Sequence, residues 1–265
     1  MVKKKAAPLS IMYSGPTPGE GPKPSWARYR QIIEAVARPG TTVDLASLRR
    51  GYKHSATPYT GAYNALAMVE RAYEAERKGY DAFIIGCASD MGLREARSLV
   101  NIPVVAPAES ATLLACTLGN KFSIIVLDPK WAPVIENTVR GYGLGERLAS
   151  VRCPAGLTDA AAFEMMHSKE QDKLTRALTT EMSRAVSQDG AEALIVACTS
   201  GSAFLTAQGI GRVDGAPVVD VIAAEIKMAE IMVDLKRAYG TSICPASIYY
   251  PPPPGWEKDI PITFD

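Results

Sequence analysis

Two cysteines hold matched places in this chain of 265 residues. Cys87 ends the run Gly79-Tyr-Asp-Ala-Phe-Ile-Ile-Gly-Cys87, and Cys198 ends Gly190-Ala-Glu-Ala-Leu-Ile-Val-Ala-Cys198. The glycine-to-cysteine offset is the same in each (87 − 79 = 198 − 190 = 8). A Pro-Val-Val segment follows both, at 103–105 and 217–219, and behind each comes an Ala-Glu pair, Ala108-Glu109 and Ala224-Glu225. Glycine, acid, alanine and strand form a common helix-to-strand joint. That joint does not call for a thiol at the same place twice, so the pattern reads as a duplication with two halves facing across a cleft. Two opposed thiols suit one reaction well. Inverting a stereocentre needs a base on one face and an acid on the other, with a thiolate and a thiol exchanging roles at each turnover. Without a cofactor to delocalise the carbanion, the proton removed must already be acidic. A carbon beside a carbonyl in a ring imide or ureide meets that need.

Ligands of open α/β sheets bind at the carboxyl ends of the strands, where both cysteines fall. Ser89 or Asp90 is a natural helix N-cap after Cys87, and Thr199-Ser200-Gly201-Ser202 gives Cys198 the same setting. A thiol at a helix N-terminus is expected to have a lowered pKa, and the free amides there suit a carboxylate or enolate oxygen. Cys116, Cys153 and Cys244 read as packing residues, since cysteine is often buried.

The elements that must carry these groups are short apolar runs alternating with amphipathic stretches. Strands are expected near 9–13, 42–45, 82–86, 103–106, 123–127, 194–197 and 217–219. Helices are expected over 64–78, 173–188 and 223–239, the last stopping at Gly240. This alternation means βαβ units and a mainly parallel sheet. The expected fold is α/β, two pseudo-symmetric Rossmann-like, doubly wound halves with the active site between them. Residues 1–113 with 220–265 form the first half and 114–219 the second, the last helix returning to the first. Four consecutive prolines from Pro251 start an extended tail, lying over its own surface or a neighbouring subunit's.

The bulk numbers exclude several classes. A hydrophobic fraction of 47% and a charged fraction of 22% describe an ordinary globular chain. A net charge of +1, with no basic stripe or zinc-finger spacing, gives no nucleic acid a footing. No apolar run approaches the roughly 20 residues of a membrane span. Lys3, Lys4 and Lys5 lack an apolar block behind them and read as a solvated end, not a secretory signal. Five widely spaced cysteines without a C-x-x-C pair argue against disulfides and a structural zinc site, so the reducing cytoplasm is the expected compartment.

The segment from Gly86 to Arg97, Asn101-Ile-Pro-Val-Val105 and Ala108-Glu-Ser-Ala111 resemble the first-half signature of hydantoin racemases, of the aspartate/glutamate/hydantoin racemase superfamily. Phe122–Val126, Arg140–Gly145, Ala191–Cys198 and Val219–Ala229 continue the resemblance in order, over residues 9–240. It implies a two-domain pseudo-symmetric fold, no cofactor, no metal, and catalytic cysteines at Cys87 and Cys198. It implies a small-molecule substrate, a hydantoin or related amino-acid derivative, held by Ala88 and Ser89 in one half and Thr199 and Ser200 in the other. Ser14 and Gly15 match a further binding loop, and Glu109 an acidic position near the cleft. A homo-oligomer is expected from the same resemblance. Three segments depart from the family pattern: Tyr13–Gly19, Asp90-Met91-Gly92 and Cys198–Ser202. All three border the expected pocket.

The residues leave other reactions of the superfamily open: amino-acid racemisation, a malonate decarboxylase-like lyase, and maleate-type cis–trans isomerisation. Retention of both thiols favours racemisation over the lyase. A two-lobed binding module without chemistry would need neither thiol. Gly141-Tyr-Gly-Leu-Gly145 reads as helix termination, not a dinucleotide loop, and Gly15–Gly21 lacks the Gly-Lys-Ser/Thr ending of a phosphate loop. His54 and His167 have no ligand-spaced partners and read as surface or loop residues, Met165-Met166 as packing, and Arg49-Arg50 as a solvated pair.

Overall fold

The computed structural model describes residues 7–19, 23–53, 57–260 and 262; the Lys3–Lys5 cluster and His54 lie outside these. In the first part of the chain come β1 (Leu9–Pro18), α1 (Trp26–Val36), β2 (Thr41–Leu48), α2 (Pro58–Arg77) and β3 (Ala82–Ile85). Then follow α3 (Leu93–Leu99), β4 (Val104–Val105) and α4 (Pro107–Leu118). The second series is β5 (Phe122–Ile125), α5 (Ala132–Gly141), β6 (Leu148–Arg152), α6 (Asp159–Met166), α7 (Gln171–Asp189) and β7 (Ala193–Val196). It ends with α8 (Thr199–Ala207), β8 (Arg212–Val213), β9 (Ala216–Val219) and α9 (Val221–Tyr239).

Among the described residues the strands form two sheets, ordered β2-β1-β3-β4 and β6-β5-β7-β9-β8. All pairs are parallel except β8 with β9. The repeat is therefore a structural one, with β2-β1-β3-β4 answering to β6-β5-β7-β9. Its register agrees as well: Ile84 pairs with Val105 and Ile195 with Val219, each three residues before a cysteine (87 − 84 = 198 − 195 = 3). Ala-Phe-Ile-Ile and Ala-Leu-Ile-Val are buried along their whole length, as parallel strands covered on both faces require. Both strands are entered through left-handed glycines, Gly79 (φ 80°) and Gly190 (φ 72°).

The helices that follow the Val-Val strands exchange sheets. After β4, helix α4 packs on β5, β7 and β9, while α9, after β9, packs on β3 and β4 and lies along α4. One continuous core results between the two sheets, in which Ile84 and Val105 join Ile124, Ile195, Ile226 and Val233. Burying a Val or Ile side chain contributes about 1.5–3 kcal/mol, so this shared layer holds the sheets as one body. The outer faces have their own clusters, under α2 and α3 on one side and under α6 and α7 on the other.

The tail folds back on its own chain. A short turn at Ser247–Tyr249 lies on α3, and the Trp256 ring meets Tyr73 edge-on, with centroids 5.7 Å apart. The own-surface alternative therefore holds for the described tail. Strand β6 escapes the apolar-run reading because Leu148–Arg152 is only half buried at a sheet edge, where Arg152 grips Asp189. Among the described residues no helix is long and apolar enough to cross a membrane.

Candidate active site

Each cysteine sits two residues past its strand, in the same local turn. The Cys87 amide donates to the Ile85 carbonyl (3.0 Å) and the Cys198 amide to Val196 (2.8 Å). The two loops then diverge. Cys198 is itself the N-cap of α8, whereas α3 begins only at Leu93, with Gly92 (φ 75°) as its N-cap. The expected Ser89 or Asp90 cap on α3 is thus corrected: Asp90 points to another helix, and Ser89 Oγ lies 3.3 Å from Cys87 Sγ.

A hydrogen-bonded chain brings the two thiol loops together. Thr199 Oγ1 donates to the carbonyl of Gly86 (3.3 Å) and accepts from Tyr29 Oη (3.0 Å), which also meets Ser200 Oγ at 2.8 Å. The residue after one cysteine is thereby bonded to the residue before the other. Both cysteines line a single cleft of about 660 Å³. Gly15, Ala88, Ser89, Thr199 and Ser200 line it too. Its walls also carry Trp26, Leu127, Trp131, Ile135 and Phe163, and Trp131 is held by donating to Asp159 (2.7 Å).

The lowered thiol pKa expected from the helix termini is overturned. Burial pushes Cys198 up to about 12; the amides of Gly201 and Ser200 pull it down, and charge on Asp159 and Cys87 adds to the rise. Burial raises Cys87 as well, reinforced by Asp90 and Glu225 and eased by Ser89. Desolvation outweighs the dipole because both sulfurs sit at the base of an apolar cleft.

Two expected binding residues are not on the cleft. Ser14 is fully buried, its hydroxyl turned to the Gly15 carbonyl (3.3 Å). Glu109 is held by Arg97 in a two-pronged ion pair (2.8 and 2.5 Å), away from the lining. His167, read as a surface or loop residue, is exposed at the end of α6 and also borders the cleft. Cys116 and Cys153 pack against the core, but Cys244 is exposed. Behind Gly86, the Tyr13 hydroxyl and the Glu225 carboxyl are buried beside each other. Burial, with Asp90 and Asp220 adding and Tyr13 partly offsetting, holds Glu225 well above the carboxylate range. Only the place of Glu225 in the repeat singled it out in the sequence. Among the described residues no three His, Cys, Asp or Glu side chains are placed to share a metal ion.

The profile of the Asp/Glu/Hydantoin racemase family matches residues 22–229. The chain belongs to this family. It is an isomerase of the racemase class. A hydantoin racemase of Pseudomonas sp. (strain NS671) is 32% identical over 205 residues, 77% of this chain and 79% of that protein. Among solved structures, allantoin racemase from Pseudomonas fluorescens is 27% identical with a TM-score of 0.77, covering 93% of this chain and 98% of that one. Allantoin racemase from Klebsiella pneumoniae shares the fold at a TM-score of 0.79 and 24% identity, over 92% of this chain and 94% of that one.

Proposed function

We propose that the chain inverts C5 of a 5-substituted hydantoin whose side chain is apolar, with Cys87 and Cys198 as base and acid and no cofactor. The observation that carries this reading is the Thr199–Gly86 bond, which joins two strand-end thiol loops on one cleft. In the forward direction one thiolate takes the C5 proton while the opposite thiol delivers its own to the other face; the return reverses the roles. The C5 carbanion is an enolate of the ring carbonyl, and amides of the loops after each cysteine are the donors in reach of its oxygen. Gly15, Ala88, Ser89, Thr199 and Ser200 hold the ring in this scheme. Residues 1–113 with 220–265 supply one wall and 114–219 the other.

The aromatic part of the lining favours a hydantoin with an apolar arm over allantoin, whose arm is a ureido group, while Lys23, Lys53, Lys130, Asp159 and His167 make up a polar part. Trp26, Trp131, Ile135 and Phe163 offer that arm apolar surface, and a ureido group laid against it loses hydrogen bonds to water. The test is decay of optical rotation of enantiopure 5-benzylhydantoin and allantoin, before and after dialysis against a chelator. Faster loss with the benzyl compound, unchanged by dialysis, is expected. Preference for allantoin would contradict the substrate reading, and loss of activity on dialysis the cofactor reading. A cytoplasmic homo-oligomer completes the proposal, with light scattering as its check.

A further inference from the structure

Asp90 lies three residues beyond Cys87 and carries a left-handed backbone (φ 50°), uncommon for a residue with a side chain. Asparagine and aspartate tolerate that region best, so the strain is modest but must be held by contacts. The contacts are complete. Its amide donates to the Cys87 carbonyl (2.9 Å), closing the turn that bears the thiol. Its carboxylate leaves that turn altogether. Oδ1 accepts from the Ala108 amide (2.9 Å), and Oδ2 accepts from the Glu109 amide (2.8 Å) and from Tyr142 Oη (2.6 Å). Ala108 and Glu109 open α4, the helix that crosses to the second sheet, and Tyr142 ends α5, which packs beside α4.

We infer that Asp90 is a positioning residue that bolts the Cys87 loop to the start of α4 and, through the Tyr142 hydroxyl, to the second half, setting where the thiol stands relative to Cys198. The inference rests on the two-thiol reading of the site. In the second half Cys198 caps α8 directly, its loop is continuous with a helix, and the matching contact is a lighter one. There Ser202, inside α8, receives the Val221 amide at the start of α9 (3.1 Å). The Cys87 loop has no helix of its own to hold it before Leu93, and Asp90 takes over that task.

Three variants separate the carboxylate from the backbone. Asp90→Gly keeps the left-handed turn and removes all three contacts of the carboxylate. Asp90→Asn keeps the turn and an amide oxygen. Tyr142→Phe removes only the cross-half hydroxyl. Two readouts are taken on each: kcat/KM for 5-benzylhydantoin, and iodoacetamide labelling of Cys87 against Cys198, followed by peptide mass spectrometry. Misplacing one reacting group should lower kcat/KM by about tenfold or more in Asp90→Gly, with Asp90→Asn and Tyr142→Phe between it and wild type. Labelling of Cys87 should rise relative to Cys198 in the same order, because the freed loop uncovers one thiol and not the other.

A Cys87-to-Cys198 labelling ratio unchanged from wild type in folded variants would overturn the inference, even if activity fell. So would failure of Tyr142→Phe to fold, which would make the contact a general support and not a positional one. If the wild type racemises no hydantoin, the functional reading fails while the labelling ratio still decides the role of Asp90.

Discussion

At the scale of single residues, the acidity of the thiols governs how the site can work. Burial raises both, Cys198 to about 12, so the free enzyme at neutral pH holds them as thiols. A thiolate formed there is a stronger base toward carbon than an ordinary one, but it is scarce. The sign follows directly: deprotonation of one thiol creates the base, so kcat/KM should rise with pH, by about tenfold per unit from neutral into mild alkali, until the paired thiol also ionises. A pH–rate profile checks this, and a maximum at acidic pH would contradict it. Gly86 sets a second constraint. A methyl group there would stand 2.3 Å from Tyr13 Cε1 and 2.9 Å from the Ser14 carbonyl, the same carbonyl that receives the Gly86 amide at 2.8 Å. Gly86→Ala should therefore cost about 1–3 kcal/mol in urea unfolding and slow the reaction. Ala197 fills the equivalent place in the second half, so Ala197→Gly should leave the rate near wild type. The thiols were legible in the sequence because strand and glycine spacing repeat around them. Asp90 was not, since its partners Tyr142, Ala108 and Glu109 are remote in sequence and meet it only once α4 has crossed.

At the scale of elements, α2 shows how a buried charge ties helix to sheet. Thr57 caps its start in a reciprocal box with Thr60, and Pro58 stands at the first turn. Near its end Glu74 is buried and receives Arg49 from the end of β2 (2.9 and 2.6 Å), Lys78 (2.7 Å) and Arg71. Burial pushes this carboxyl up, but Arg49, Lys78 and Arg71 outweigh it and bring it from the ordinary 4.5 to about 2. A lowered folded pKa means stability that is present above the ordinary value and fades as pH falls through the folded one. Glu74→Gln should lose about 2–3 kcal/mol at pH 7, less than a fully enclosed pair because Arg49 and Lys78 keep water contact. Urea unfolding across pH should show the gap narrowing below about pH 4; a gap that stays constant would contradict the ion-pair account. In the sequence Arg49-Arg50 read as a solvated pair, and both are exposed, Arg50 meeting Glu70 while Arg49 reaches the buried Glu74. Expected strands lie within a few residues of β1 to β5, β7 and β9. Strands β6 and β8 were missed, one half-buried and polar, the other two residues long.

At the scale of the whole molecule, two copies of one βαβ pattern exchange their last helices and share one core, and the cleft lies where the paired strand ends meet. The duplication, the α/β class and the cleft were legible from the repeat. The apolar wall of Trp131, Ile135 and Phe163 was not, because those residues come from α5, α6 and the turn before α5, outside the repeated segments. The pair of enantiomers imposes a thermodynamic limit on any test: they are equal in free energy, so kcat/KM must be equal in both directions for every variant. Loss of one thiol cannot show as a one-sided rate; it must show in exchange. The most direct measurement is proton–deuterium exchange at C5, followed by NMR in D2O, with each enantiomer of 5-benzylhydantoin and with wild type, Cys87→Ser and Cys198→Ser. The account predicts exchange with inversion in wild type. Each variant should lose inversion yet still exchange one enantiomer without inverting it, a different enantiomer for each. Variants that still racemise at the wild-type rate, or that treat both enantiomers alike, would contradict it.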